Sequence, residues 1–154
     1  MKTSGESVGA RGNRCLTTDL RALADFLPAF RQPEFKAGEW KGGNETKPGV
    51  IQIPYVSYAP VVGAFCRAVY EHGWIKVFDW MTWTQSDEAR SLRDDEAVIG
   101  NATPEQLAHL LTACIRQDRF AEGALMGAFE SGLILRIVER AAVLAEAASL
   151  SNEG

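Results

Sequence analysis

The chain predicts a single all-α domain of about five or six helices, with a long irregular loop region and at most a minor strand pair. Three observations carry that expectation. Apolar residues recur at helical spacing in several well-separated stretches. The 154 residues, 46% hydrophobic and 23% charged, have the size and balance of one soluble domain. Only Val50–Tyr58 carries strand propensity, and Pro54 interrupts it.

Residues 1–16 read as a flexible tail, rich in Gly, Ser and charge, and residues 149–154 as a second short tail flanking the domain over 17–148. Thr17 or Thr18 is placed to cap a first helix whose apolar side is Leu20, Leu23, Ala24 and Leu27. Pro28 ends or kinks that helix near Leu27. Residues 32–49 are punctuated by Pro33, Gly38, Gly42, Gly43, Pro48 and Gly49, so they read as a long connection, with Phe35 and Trp40 pinning it to the core. Val50–Tyr58 then reads as extended chain or a minor edge strand.

A helix opening at Ser57 or Pro60 carries Val61, Val62, Phe65, Ala68 and Val69, and stops at His72–Gly73. Asp79 can cap a short helical turn inside the tryptophan-rich run Trp74–Trp83, and a polar stretch follows from Gln85 to Glu96. Thr103-Pro104-Glu105-Gln106 combines an N-cap threonine, proline at the first helical position and glutamine three residues after the cap, so it predicts a capping box. Leu107, Leu110, Leu111 and Cys114 continue that helix. From Asp118 to Ala148 the pattern is helical again, as two helices meeting near Gly132. Gly123 and Gly127, four apart, predict close approach of a neighbouring helix, because interior glycine costs roughly 1 kcal/mol of helix propensity.

The formal net charge of −4 places nucleic acid low among possible partners. Three widely spaced cysteines, Cys15, Cys66 and Cys114, do not form a disulfide framework and fit a reducing, cytoplasmic setting. No apolar leader opens the chain. Its longest uncharged stretch, Pro48–Cys66, is broken by prolines, so no membrane span is expected.

Chemistry concentrates in two places. On one continuous helix, Asp118, Glu122, Met126 and Glu130 would share a face at intervals of four, with Arg116 and Arg119 nearby. Carboxylates sharing an arginine-containing environment can divide acid and base roles, or they can simply anchor a helix end through ion pairs. The second place is aromatic: Trp40, Tyr55, Tyr58, Trp80 and Trp83, with Trp74 and Phe78, either line a binding surface or fill the core. The expected division sets Trp80 in the core and leaves Trp40 or Trp83 partly exposed. His72 and His109 stand at no zinc-ligand spacing from Cys66 and Cys114, no nucleophile elbow is present, and Gly42–Lys47 lacks the spacing of a phosphate loop. No metal and no cofactor are expected.

Asp19-Leu20, Phe26-Leu27-Pro28-Ala29-Phe30, Gly38-Glu39-Trp40 and Phe78-Asp79-Trp80 form a pattern with Asp118-Arg119-Phe120-Ala121-Glu122-Gly123 and Phe129-Glu130-Ser131-Gly132. This pattern resembles a family of small prokaryotic proteins known only as a domain of unknown function, over about residues 17–141. The resemblance implies a compact, mostly helical intracellular domain, and it brings no activity or cofactor. The expected function is binding or regulation of another protein, as an inhibitor or adaptor, through the Trp40 loop or the Gln85–Glu96 segment; self-association stays open. The alternative is an enzyme or small-molecule binder using the charged cluster.

Overall fold

The computed structural model of the chain describes residues 16–153. The expected N-terminal tail and Cys15 lie outside the described residues, apart from residue 16, which is already helical. The chain is mostly helical, as expected, but strands are more than a minor pair. Two two-stranded antiparallel sheets replace most of the expected irregular connection.

Helix α1 runs to residue 24, so Thr17 and Thr18 lie within it instead of capping it. A turn at 25–26 separates it from α2, Leu27–Phe30, which carries Pro28 in its first turn. Proline therefore opens a second helix where it was expected to end the first. Next come strands β1 (Gly38–Lys41), β2 (Glu45–Lys47), β3 (Val50–Ile51) and β4 (Tyr55–Tyr58). Helices follow as α3 (Pro60–Glu71), α4 (Trp80–Thr84), α5 (Asp87–Asp94), α6 (Glu96–Ile99), α7 (Pro104–Gln117), α8 (Ala124–Glu130) and α9 (Leu133–Glu153).

The core is built by the apolar sides of the longer helices: Leu20 and Leu23 from α1, Phe65 and Val69 from α3, Leu107 and Leu111 from α7, Ile134 and Ile137 from α9. Phe26, Phe30, Phe35, Phe65 and Phe129 form one aromatic layer with ring centroids 5.1–6.1 Å apart, mostly in edge or tilted contact. Phe35 thereby pins the segment that leads into β1.

Caps explain where the helices begin. Thr103 and Gln106 form the expected capping box on α7, at 3.1 and 3.0 Å. Asp79 caps α4 by accepting from Thr82 N. Ser86 caps α5, which buries Ala89 and Leu92 in the stretch the sequence pattern left without an element.

Polar ties fix the remaining segments. Thr112, the one buried polar residue among the described residues, accepts from Lys76 N at 2.9 Å and donates to Trp74 O at 3.2 Å. His72 Nδ1 lies 2.8 Å from Asp19 Oδ1, joining α1 to the end of α3. Arg136 and Arg140 of α9 donate to the carbonyls of Arg93 and Ala102, near the C-terminal ends of α5 and α6, where a cation is favoured. No helix among the described residues is long and apolar enough to cross a membrane.

β1 pairs with β4 in register Gly38↔Tyr58 to Lys41↔Tyr55, and β2 pairs with β3. Gly43 N donates to Gln52 O at 2.6 Å and Gln52 N to Asn44 O at 3.0 Å, so the two small sheets are stretches of one long hairpin over 38–58. Gly43 and Asn44 both face Gln52 in a bulge, and Gly43 takes the φ of +79° that such a bulge requires. Pro48-Gly49 forms the tip. Most of the expected loop is therefore ordered by pairing with the segment that was expected to have no strand partner.

Candidate functional site

The charged cluster does not form a stripe on one helix. α7 ends at Gln117 with Asp118 as its C-cap, and α8 starts only after Gly123, whose φ of +88° ends any continuous helix. The expectation of one helix over Asp118–Glu130 is thus overturned by a left-handed glycine. The carboxylates are re-aimed accordingly.

Asp118 Oδ1 accepts from Tyr58 Oη at 2.8 Å and from Leu125 N at 3.0 Å, while Tyr58 Oη accepts from Met126 N at 3.1 Å. Gly123, the N-cap of α8, has no side chain to satisfy these N–H groups. Asp118 and a tyrosine from β4 do so instead. Burial raises the Tyr58 hydroxyl well above its ordinary value of 10.0, and the hydrogen bond to Asp118 raises it further, so it stays protonated and donating. Glu122 Oε2 accepts from Val56 N at 2.8 Å on the outer edge of β4. A Cβ on Gly123 would sit 2.5 Å from the Trp40 ring, which rests against this glycine. The Asp118–Gly123 segment is therefore a clasp. Asp118, Glu122 and Gly123 hold Tyr58, Val56 and Trp40 at the base of the hairpin.

Arg116 and Arg119 do not sit among those carboxylates. Among the described residues, no ion pair within 4.0 Å joins either arginine to Asp118, Glu122 or Glu130. Arg119 instead donates to Tyr70 Oη at 3.3 Å. Glu130 lies at the exposed end of α8, beside a cleft of about 350 Å³ floored by Phe35, Met126 and Phe129 and walled by Trp40.

The aromatic candidates divide between two elements. Trp40, Tyr55 and Tyr58 belong to the hairpin; Trp80 and Trp83 belong to α4. Trp74 is the buried tryptophan, where Trp80 was expected; Trp80 is half-buried, 6.1 Å from Phe120 centroid to centroid. Trp83 Nε1 donates to Glu88, which also accepts from Gln106, and these two bonds hold the Glu88 carboxyl below its usual range. His109 stacks on Phe78 at 4.1 Å.

Gly127 is exposed and a Cβ there would meet nothing within 4 Å, so the expected helix–helix contact is absent from it. Gly123 is the glycine that permits close approach, and what approaches is the Trp40 ring. Among the described residues, no three His, Cys, Asp or Glu side chains converge as a metal site. Cys66 and Cys114 are free thiols, pushed up by burial to about 11 and about 12 and thus poor nucleophiles.

Residues that the sequence pattern did not single out complete the hairpin surface. Its distal half exposes Val50, Ile51 (66%) and Ile53 (82%); Tyr55 shares a face with the two isoleucines, and Trp40 (52%), paired with Val56, lies on the other. The signal was available in the alternation of Ile51, Ile53 and Tyr55, which places all three on the face opposite Val56. Among the described residues, no second strand pairs with the outer edge of β1. Because Val56 N binds Glu122 across the sheet's other edge, the Trp40↔Val56 pair exchanges no hydrogen bonds, and the Trp40 N–H and C=O point away from β4.

Comparison with curated proteins and with solved structures finds no match. Residues 15–147 match DUF6508, a family of unknown function, and the chain belongs to that family.

Proposed function

We propose that this protein is a small binding module, with an inhibitor or adaptor role, that docks another protein through the hairpin over 38–58. One observation carries the reading: the hairpin is anchored at its base by Tyr58–Asp118 and Val56–Glu122, yet its far half presents Val50, Ile51 and Ile53 to solvent. Ile51 and Ile53 share one face by alternation, and exposed apolar side chains that share a face mark interaction sites. The outer edge of β1, which has no strand partner among the described residues, adds backbone groups that another chain can pair with. The free thiols fit a reducing, cytoplasmic location. The acid–base reading of Asp118, Glu122 and Glu130 has less support, because Asp118 and Glu122 each already accept a backbone N–H in the clasp.

The test is affinity capture from the native host with the full chain and with Ile51→Asp/Ile53→Asp, quantified by mass spectrometry. A protein retained by the wild type and lost from the double variant, at unchanged thermal midpoint, supports the reading. Identical capture profiles for the two proteins overturn it.

A further inference from the structure

A second exposed apolar surface lies between the 75–79 segment, α4 and the turn that follows α7. Val77 is 101% exposed and Phe120 is 72% exposed, with Met81 and the Trp80 ring beside them around a cleft of about 260 Å³. Phe120 projects from the tight turn joining α7 to α8, where no burial requires an aromatic side chain. Its ring contact is Trp80, and the two make one apolar ledge.

The ledge is ringed by cations. Lys76, Arg116 and Arg119 line it and no carboxylate does, in a chain whose net charge is −4. Among the described residues, none of the three lies within 4.0 Å of an acidic side chain. The two neighbouring acids in sequence are engaged elsewhere. Asp79 accepts from Thr82 N and Thr82 Oγ1, and Asp118 accepts from Tyr58 and Leu125. Arg119 is partly oriented by its bond to Tyr70 Oη.

We propose that this ledge docks an acidic segment of a partner protein, which sets an apolar side chain on Trp80 and Phe120 and its carboxylates against Lys76, Arg116 and Arg119. Charge complementarity selects this occupant: three cations without acidic partners surround a shelf that only an apolar group covers well. Arginine suits the role, since its planar fork binds carboxylates in two-point geometry. A nucleic acid or an anionic membrane is a weaker match, because the net negative charge of the rest of the chain repels an extended polyanion. The ledge shares no residue with the hairpin, so the inference stands or falls independently of the hairpin reading.

The probe is a phage-displayed library of random dodecapeptides, panned on the full chain at low salt, with enriched peptides then synthesised and titrated by fluorescence anisotropy. The expected consensus pairs Asp or Glu with Leu, Phe or Trp. Affinity should fall about tenfold or more from low to high salt, and by a similar factor in Arg116→Glu/Arg119→Glu and in Phe120→Ser, at unchanged thermal midpoint. Ile51→Asp/Ile53→Asp should bind these peptides as the wild type does. Lys76→Glu gives a second charge reversal outside the helices should the arginine variant melt early. The proposal is overturned if no acidic consensus is enriched, or if the peptides bind the charge-reversed variants equally well. It is also overturned if single-stranded oligonucleotides or anionic vesicles occupy the ledge in preference to acidic peptides, or if self-association of the chain buries it.

Discussion

The two ends of the hairpin are built from the same backbone ladder and differ in everything else. At its base, Tyr58, Val56 and Trp40 meet a carboxylate, a second carboxylate and a glycine of the α7–α8 junction. At its tip, Val50, Ile51 and Ile53 meet solvent, and the side-chain bonds are the local ones from Thr46 Oγ1 to Val50 O and from Gly49 N to Glu45 Oε1. The base is over-determined by contacts from elsewhere in the chain, whereas the tip is held by its own turn. An anchored base with a bare tip is the division of labour expected of a recognition element carried on a scaffold.

The contrast breaks most severely at Gly123. Gly123→Ala places a Cβ 2.5 Å from the Trp40 ring and forces a non-glycine residue to φ +88°. Together these should cost about 2–4 kcal/mol in denaturant melts. Adding Trp40→Ala should recover the steric part and leave the backbone part. Full recovery would show that the left-handed φ carries no strain.

Asp118→Ala should come next, at about 1.5–3 kcal/mol, because it strands the Leu125 N–H and the Tyr58 hydroxyl together. Tyr58→Phe should cost about 1 kcal/mol, and it has a pH signature. The folded Tyr58 hydroxyl titrates above its ordinary value of 10.0. Its contribution to stability is therefore fully present below that pH and is lost as pH rises beyond it. Wild-type stability should fall more steeply above this value than that of Tyr58→Phe, which equilibrium melts across the alkaline range will read.

Smaller effects sharpen the same contrast. Gly127→Ala, on the exposed face of the short helix beside the clasp, should raise stability by about 0.5–1 kcal/mol through helix propensity, which calorimetry can detect. A loss there would mean that the face is covered. Ile51→Asp and Ile53→Asp should change stability by less than about 0.5 kcal/mol while abolishing partner capture. A large loss would make the tip part of the core.

Much of the helical frame was legible because most of the longer helices announce themselves locally. Thr103 and Gln106, Asp79, Pro60 and Gly73 mark ends through bonds or dihedral angles made within a few residues. The hairpin was legible in neither arm alone. Gly42, Gly43 and Pro48 look like loop punctuation, and they are read as bulge and tip only when Gln52 is known to face Gly43 and Asn44. Asp118, Glu122 and Glu130 were read as candidates on one stripe, so their partners were sought at helical intervals. The chain turns at Gly123, and the partners came from β4, dozens of residues away. Helices α5 and α6 were missed because their apolar content is small: Ala89, Leu92 and Ile99 suffice for short helices that pack by one turn.

The clasp also has a bearing on the order in which the chain assembles. The bonds of Asp118, Glu122 and the neighbouring Met126 N–H to the hairpin close loops of 60, 66 and 68 residues. Contacts this distant in sequence incur their closure entropy before they return any energy, whereas the ladder over 38–58 and the helices form from near neighbours. The expected order is that the hairpin seats late, onto an α7–α8 junction that already exists, and that its tip opens early. Proteolysis under native conditions should open the chain at the 42–54 arm while the helices stay protected, and seating the hairpin becomes an equilibrium that a bound partner can pull toward the closed state.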